Sequence, residues 1–276
     1  MHNPDQKRVE ISVKRALEED IGLGDVTGEL IDSHIYREAK LICREESILC
    51  GSVWFEMSFR LLDPNSKIEW KKSEGDLINK DDVVAHIEGS AKCMVASERT
   101  GLNFLQMMSG IAYKTHCYKK ILENSKTILL DTRKTLPGLR YEQKYSVLTG
   151  GGQNHRMGLY DAALIKENHI SSAGSISQAI QALRNNNIKM IEVEVENLDE
   201  LKEAIESKAD IAMLDNFNEK DILKAVTMSK DKIKIEISGN IDKEKLQTYK
   251  NINIDYVSSG DLTKNISATD YSLIFN

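Results

Sequence analysis

The chain has 276 residues, 43 Asp and Glu against 37 Lys and Arg, and a formal net charge of −6. That length buries a real core without staples and suits one large domain or two ordinary ones, while the negative balance excludes a general nucleic-acid or anionic-membrane surface. With no apolar run near membrane-spanning length, no signal-peptide pattern and four cysteines without CxxC spacing, the expectation is a soluble, cytoplasmic protein with reduced thiols.

Val9, Val13, Ala16 and Leu17 recur at helical spacing, and Gly22 and Gly24 stop that helix. "AKLICREESILCG" alternates like a pair of strands, "SVWFEMSFRLLD" reads as a helix ending before Pro64, and "DVVAHIEG" reads as a strand. A long helix follows from about Val95 towards Leu122, with a break expected at Ser109-Gly110 and a domain boundary beside it. "GLGDVTG" resembles a dinucleotide-binding loop but follows a helix instead of a strand, so that reading fails.

From Ile128 onwards, apolar runs end in a polar or charged residue and helices separate them. "ILLD" ends at Asp131, "AALIK" at Lys166, "MIEVEVE" at Glu196, "IAMLD" at Asp215, "IKIEIS" at Ser238 and "IDYVSSG" at Gly260. The spacing is that of βα units with parallel strands buried on both faces. Six or seven such units can close as a barrel or open as a doubly wound sheet. The mixed charges collected at the strand ends favour the barrel, which gathers its chemistry on that face. Glu192, Glu194 and Glu196 then share one side of their strand, and those facing inward need partners.

Arg133 and Lys134 follow a buried strand almost at once, which is costly unless an anion waits there. Arg156 and His155 in "GGGQNHRMG", Lys166 in "ALIKENH" and Arg99 in "ASERTGLNF" add further positive charge. Arginine forks fit carboxylates and phosphates bidentately, so the set points to a ligand with several negative groups. Ser238-Gly239 and Ser259-Gly260 end the last two strands, where such barrels place phosphates on backbone amides. Taken alone, any single Arg or Lys here is read first as a solvated surface residue, less readily so for Lys166 straight after an apolar strand, and the Ser-Gly pairs read equally well as ordinary βα turns. His155, His169 and Glu167 match no familiar metal spacing, whereas Glu196 and Asp215 suit Mg²⁺ held through water or substrate oxygens.

These motifs identify a resemblance. "EEDIGLGDVTGELI", "ASERTGLNFLQMMSGIA", "LLDTRKTLPGLRYEQKYSVLTGGGQNHRMGLYDAALIKENHI", "VEVENLDE", "IAMLDNF" and "SSGDLTKNISATDYSL" resemble the quinolinate phosphoribosyltransferases over nearly the whole chain. The resemblance implies an incomplete, six- or seven-stranded α/β barrel, residues 113–264, behind an N-terminal α/β sandwich domain, residues 1–112, with the tail 265–276 packed back on the sandwich. It also implies a homodimer in which Arg99 reaches the partner's site. The reaction implied joins quinolinate to phosphoribosyl pyrophosphate with Mg²⁺, giving nicotinate mononucleotide, pyrophosphate and CO₂.

By the same resemblance, Thr132, Arg133, Lys134, His155, Arg156 and Lys166 bind substrate. Glu196 and Asp215 lie by the ribose and metal, and Ser238, Gly239, Asn240, Ser259, Gly260 and Asp261 form the 5′-phosphate loops. Lys134, Lys166, Glu196 and Asp215 are the residues assigned to catalysis. Two positions depart from the family pattern. Asn240 stands where many relatives have glycine, and Asp261 sets a carboxylate close to the phosphate loop, so it is expected to face away. Two readings from other classes stay open on the residues alone: an aldolase with Lys166 as Schiff-base lysine, and a non-catalytic sensor of phosphorylated metabolites.

Overall fold

The structure, a computed structural model, describes residues 3–32 and 34–276. Helix α1 (Gln6–Ile21) is capped by the Asp5 carboxylate, which accepts from the Lys7 and Arg8 amides, and is stopped by Gly22 at φ 53°. Strands β1 (Tyr36–Cys43) and β2 (Ser47–Ile48), helix α2 (Ser52–Arg60), strands β3 (Lys67–Trp70), β4 (Leu77–Ile78) and β5 (Val83–Ser90), and helix α3 (Ala91–Ile121) follow. Next come β6 (Ile128–Leu130), α4 (Arg140–Thr149), β7 (Ala163–Ile165), α5 (Glu167–Ala173), α6 (Ile176–Asn185), β8 (Ile191–Val195) and α7 (Leu198–Glu206). The run ends with β9 (Ile211–Asp215), α8 (Glu219–Ser229), β10 (Lys234–Ser238), α9 (Lys243–Tyr249), β11 (Tyr256–Ser258), α10 (Asp261–Lys264) and β12 (Tyr271–Phe275).

Contacts divide the chain into two units: Met1–His116 with Pro137–Gly151 and Ile266–Asn276, and Cys117–Leu136 with Gly152–Asn265. In the first unit, an antiparallel sheet of order β12-β1-β5-β3 packs its apolar face on α2 and α3. Ala39, Leu41 and Cys43 of β1 alternate inward to meet Phe55, Phe59, Leu102 and Leu105. A second cluster joins Val9, Val13 and Leu17 of α1 to Trp54, Phe104, Met108 and Tyr145. Tyr145 lies on α4, which explains why 137–151 clusters here although the sequence reading places it with the barrel.

Two local expectations change. The strands of "AKLICREESILCG" do not pair with each other: β1 lies between β12 and β5, and β2 pairs with β4. Helix α3 runs through Ser109-Gly110 without a break. Ser109 is buried and bonds Cys50 and Tyr271, which satisfies its hydroxyl inside the helix packing. A Cβ on Gly110 would sit 2.0 Å from the Ser267 carbonyl oxygen, so that glycine permits close approach of the returning chain.

The second unit is a six-stranded parallel sheet of order β6-β11-β10-β9-β8-β7 among the described residues. Read as a ring, this is simply chain order from β6 to β11, with first and last strands paired. Only β6 and β7 are not neighbours, and there Gln153 forms a parallel bridge to Leu130. It is an incomplete α/β barrel. Ile191, Val193 and Val195 of β8 are wholly buried, so Glu192 and Glu194 take the opposite, interior side of the strand. Asn197, Asn218 and Asp242 cap α7, α8 and α9 two to four residues beyond the strand ends, which the parallel pairing brings to one face.

Trp54 is fully buried, its ring centroid 5.1 Å from Tyr145, and its indole N–H donates to Ser12 Oγ at 3.2 Å. Trp54→Ala is expected to cost the first unit about 3–5 kcal/mol, measured by chemical denaturation. A change near zero would show that this cluster does not hold α1 to α2.

Candidate active site

Asp131, at the end of β6, organises one side of the barrel mouth. It is fully buried, and its two oxygens accept from Asn154 Nδ2 at 2.6 Å and the His155 amide at 2.9 Å. This ties the loop carrying His155 and Arg156 to the strand end carrying Arg133 and Lys134. Thr132 Oγ1 accepts the Lys134 amide at 3.0 Å, and Thr263 donates to the Lys134 carbonyl at 2.8 Å. A Cβ on Gly260 would lie 2.9 Å from Lys134 Cδ and 3.3 Å from Thr132 Oγ1, so glycine there lets β11 close on the cation turn.

Arg156 is held below its ordinary basicity first by partial burial and then by the positive charge of Arg133. Glu192, Asp161 and Glu194 offset part of that loss, and a bound anion would offset more. Arg156 also donates to the Ala162 carbonyl at 3.3 Å. His155 Nδ1 accepts the Arg156 amide at 2.8 Å and Nε2 faces Glu192 Oε2 at 3.0 Å. Both ring nitrogens thus have partners within the protein, and a ligand contact through either would require breaking one of those bonds.

Opposite the arginines lies an acidic side. Lys166 forms an ion pair with Glu194, not Glu196. Glu196 and Glu194 share a small cavity with Glu167 and Glu200. The Glu196 carboxyl is raised above the ordinary range by Glu167, then Glu200, with Asp215 and Glu194 adding to it. Asp215 accepts from Asn216 Nδ2 at 3.0 Å. An all-oxygen set whose members repel one another fits a hard cation such as Mg²⁺.

At the ends of β10 and β11 the expected phosphate loops differ in character. Gly239 (φ 105°) and Asn240 (φ 49°) both take left-handed conformations, and asparagine tolerates this better than most residues. Lys245 Nζ donates to the Gly239 carbonyl at 3.1 Å, a cation at this loop that nothing in the sequence pattern marked. Ser238 is half-buried at the mouth, whereas Ser259 is fully buried and spends its hydroxyl on the Ile241 carbonyl. Ser259 therefore ties the two loops together instead of offering that hydroxyl to a ligand. The Asp261 carboxylate accepts from Tyr118 at 2.6 Å and from Asn265, which holds its charge on these partners. Arg99 belongs to the first unit, on the exposed side of α3. Asp131, Glu194 and Lys245 join the site from the structure. Asp131 and Glu194 had a signal, the strand-end position and the alternation of β8; Lys245 had none.

Residues 25–109 match the family model described as quinolinate phosphoribosyl transferase, N-terminal domain, and residues 111–274 match the model of its C-terminal domain. The chain belongs to the quinolinate phosphoribosyltransferase family. It is similar to the probable nicotinate-nucleotide pyrophosphorylase (carboxylating) of Bacillus subtilis, 38% identical over 92% of this chain and 89% of that one. The chloroplastic enzyme of that name from Arabidopsis thaliana is also 38% identical, over 95% of this chain and 81% of its own. The solved nicotinate-nucleotide pyrophosphorylase of Francisella tularensis is 44% identical, with a TM-score of 0.96 over 99% of this chain and 98% of that one. Human nicotinic acid phosphoribosyltransferase, at 13% identity and a TM-score of 0.61, shares the fold alone.

In this family member the β10 loop can be tested directly. A Cβ on Gly239 would lie 2.4 Å from Asn216 Oδ1 and 3.0 Å from the Asn216 backbone nitrogen, displacing the group that bonds Asp215. Gly239→Ala is expected to destabilise by about 1–3 kcal/mol, whereas Asn240→Gly should change stability by less than about 1 kcal/mol. Thermal unfolding of the two variants checks both. Equal losses would mean that Asn240 makes contacts a glycine cannot replace.

Proposed function

We propose that the protein transfers the phosphoribosyl group of phosphoribosyl pyrophosphate to quinolinate and decarboxylates the product, giving nicotinate mononucleotide, pyrophosphate and CO₂ for NAD biosynthesis. The carrying observation is Arg156 at the mouth of the barrel, its guanidinium made less basic first by partial burial and then by the charge of Arg133, a cost that a dianionic substrate would offset. Lys134 and Lys166 extend this positive side, with Thr132 shaping the turn. The Lys166–Glu194 ion pair holds that lysine at the junction with the acidic side.

The chemistry asks little of side chains as acids or nucleophiles. The pyridine nitrogen donates its lone pair to the ribose C1 while the C–O bond breaks and pyrophosphate departs with the electrons. The ring then carries positive charge, the bond to the adjacent carboxylate breaks, CO₂ leaves and its electron pair remains on the ring carbon, which takes a proton. Fixed cations stabilise the diacid and the leaving group, and the carboxylates of Glu194, Glu196 and Asp215 stabilise positive charge developing on the ribose. Glu196 and Asp215 would hold Mg²⁺ through water or substrate oxygens, and the ion supplies neutralisation of the pyrophosphate charge. The amides of Ser238, Gly239, Asn240 and Gly260, with Lys245, form the 5′-phosphate seat.

The working unit we propose is a homodimer, with Arg99 of each subunit directed to the partner's site, in the cytoplasm. No helix among the described residues is long and apolar enough to cross a membrane, and all four cysteines are free thiols.

Pyrophosphate release should require Mg²⁺, phosphoribosyl pyrophosphate and quinolinate together, with nicotinate in place of quinolinate giving none. Arg133→Ala and Lys166→Ala should each lower kcat/KM about a hundredfold or more while leaving the fold intact, checked by activity and circular dichroism. Release with nicotinate alone would overturn the diacid reading, and near-normal turnover of either variant would remove that residue from the site.

A further inference from the structure

Beneath the cation side of the mouth, three side chains meet that the reaction as written does not use. Glu192 on β8 and Glu236 on β10 both approach His155 Nε2, at 3.0 Å and 3.7 Å, and their side chains are only 8% and 1% exposed. One oxygen of each carboxyl, Glu192 Oε1 and Glu236 Oε1, and the hydroxyl of Ser258 on β11 are buried without a hydrogen-bond partner among the described residues. One ligand atom each of His155, Glu192 and Glu236 lies within 4.8 Å of the other two. Two carboxyls this close, this dry, cannot both be ionised without a compensating charge.

The compensation could be a metal ion or a proton, and the imidazole decides between them. Its Nδ1 accepts the Arg156 amide, so its own hydrogen is on Nε2, the atom that faces both carboxyls. A nitrogen that carries hydrogen donates and does not ligate, and a metal-bound histidine needs the reverse arrangement. A protonated carboxyl fits every remaining atom: its O–H has buried acceptors without another partner in the facing carboxyl and in Ser258.

We propose that Glu192 and Glu236 are positioning residues that share one proton and fix the His155 ring, through which the main chain of Arg156 is held for the dianionic substrate. The assignment rests on the function proposed above. Glu192 accepts from Nε2, the ring accepts from the Arg156 amide, and Asp131 holds the His155 amide from the other side. The groups around Glu236 are Glu192 from β8, Asp131 from the end of β6 and the His155 ring; Met213 and Tyr256 stand level with it on β9 and β11. Burial first, and then Glu192, raise the Glu236 carboxyl well above its ordinary range. A carboxyl raised on folding contributes its stability fully at acid pH, below the range of an unfolded carboxyl. That contribution is lost as pH rises through the raised value, so the pair weakens on the alkaline side.

The test uses the whole protein and the variants Glu236→Gln, Glu192→Gln and Glu192→Ala. Infrared spectra should show the carbonyl band of a buried, protonated carboxyl at neutral pH, absent in Glu236→Gln and lost from the wild type on alkaline titration. In steady-state kinetics, Glu192→Ala should raise KM for quinolinate at least tenfold with kcat changed less than threefold. Glu192→Gln, which keeps the acceptor, should restore most of that loss. Glu236→Gln should remain within threefold of the wild type at neutral pH and lose the alkaline fall in kcat/KM. A wild type without the band, a Glu236→Gln variant that keeps the alkaline fall, or a stoichiometric divalent metal in elemental analysis of the purified protein would each overturn the proposal. So would a merely structural pattern, in which Glu192→Ala lowers the melting temperature but leaves KM alone. Absence of pyrophosphate release from the wild type would instead refute the function reading, and the infrared band would then decide the proton assignment by itself.

Discussion

The barrel mouth depends on one buried carboxylate. Asp131 lies where the ring of strands is open, and it binds the loop that bridges the gap by the Asn154 side chain and the His155 amide. In a closed barrel, ladder hydrogen bonds would fix the spacing of adjacent strand ends. Here that task falls to a side chain. A fully buried carboxyl is tolerable only when donors meet its oxygens, as the Asn154 side chain and the His155 amide do. The two arginine-bearing segments are therefore coupled through Asp131, which stands two residues before Arg133 and holds the segment of Arg156.

Charge is sorted across the mouth and not merely abundant there. Arg133, Lys134 and Arg156 gather where β6 meets the bridging loop, while Glu194, Glu196 and Asp215 occupy the ends of β8 and β9. Each side is internally repulsive. Repulsion of this kind is tolerated at sites where a ligand resolves it, and it is also why such sites are less stable empty than filled. Lys166, paired with Glu194, is the point where the two sides touch.

Much of this was legible in the residues. The βα rhythm after Ile128 reads directly as parallel strands, because each run is apolar on both faces and ends in a polar residue. β8 looked exceptional because its glutamates alternate, and the reason is physical: in a barrel interior lined by His155 and Lys166, alternating acid is the buried pattern. Arg133 and Lys134 stood out as two cations directly after a buried strand, although Lys134 proves to be exposed. What could not be read were contacts between distant segments. Nothing local in "NHR" says that both nitrogens of His155 are occupied, that Ser259 is turned towards Ile241, or that Lys245 reaches the β10 loop. Ser109-Gly110 misled for the same reason. Its helix-weakening residues are explained by Cys50, Tyr271 and Ser267, which are far away in sequence.

The pairing of β12 with β1 has a consequence for synthesis. Ala39 lies opposite Phe275 and Leu41 opposite Leu273, so the sheet of the first unit receives its outer strand only after the whole barrel has been translated. At about 5–20 residues per second, β1 waits on the order of ten seconds or more with one edge unpaired. During that interval the nascent chain presents backbone donors and acceptors that any other extended segment could engage. A ribosome-bound chain would be most exposed to misassembly at that edge. Chaperone demand should accordingly peak late in elongation, when the barrel is already out and the first sheet is still incomplete.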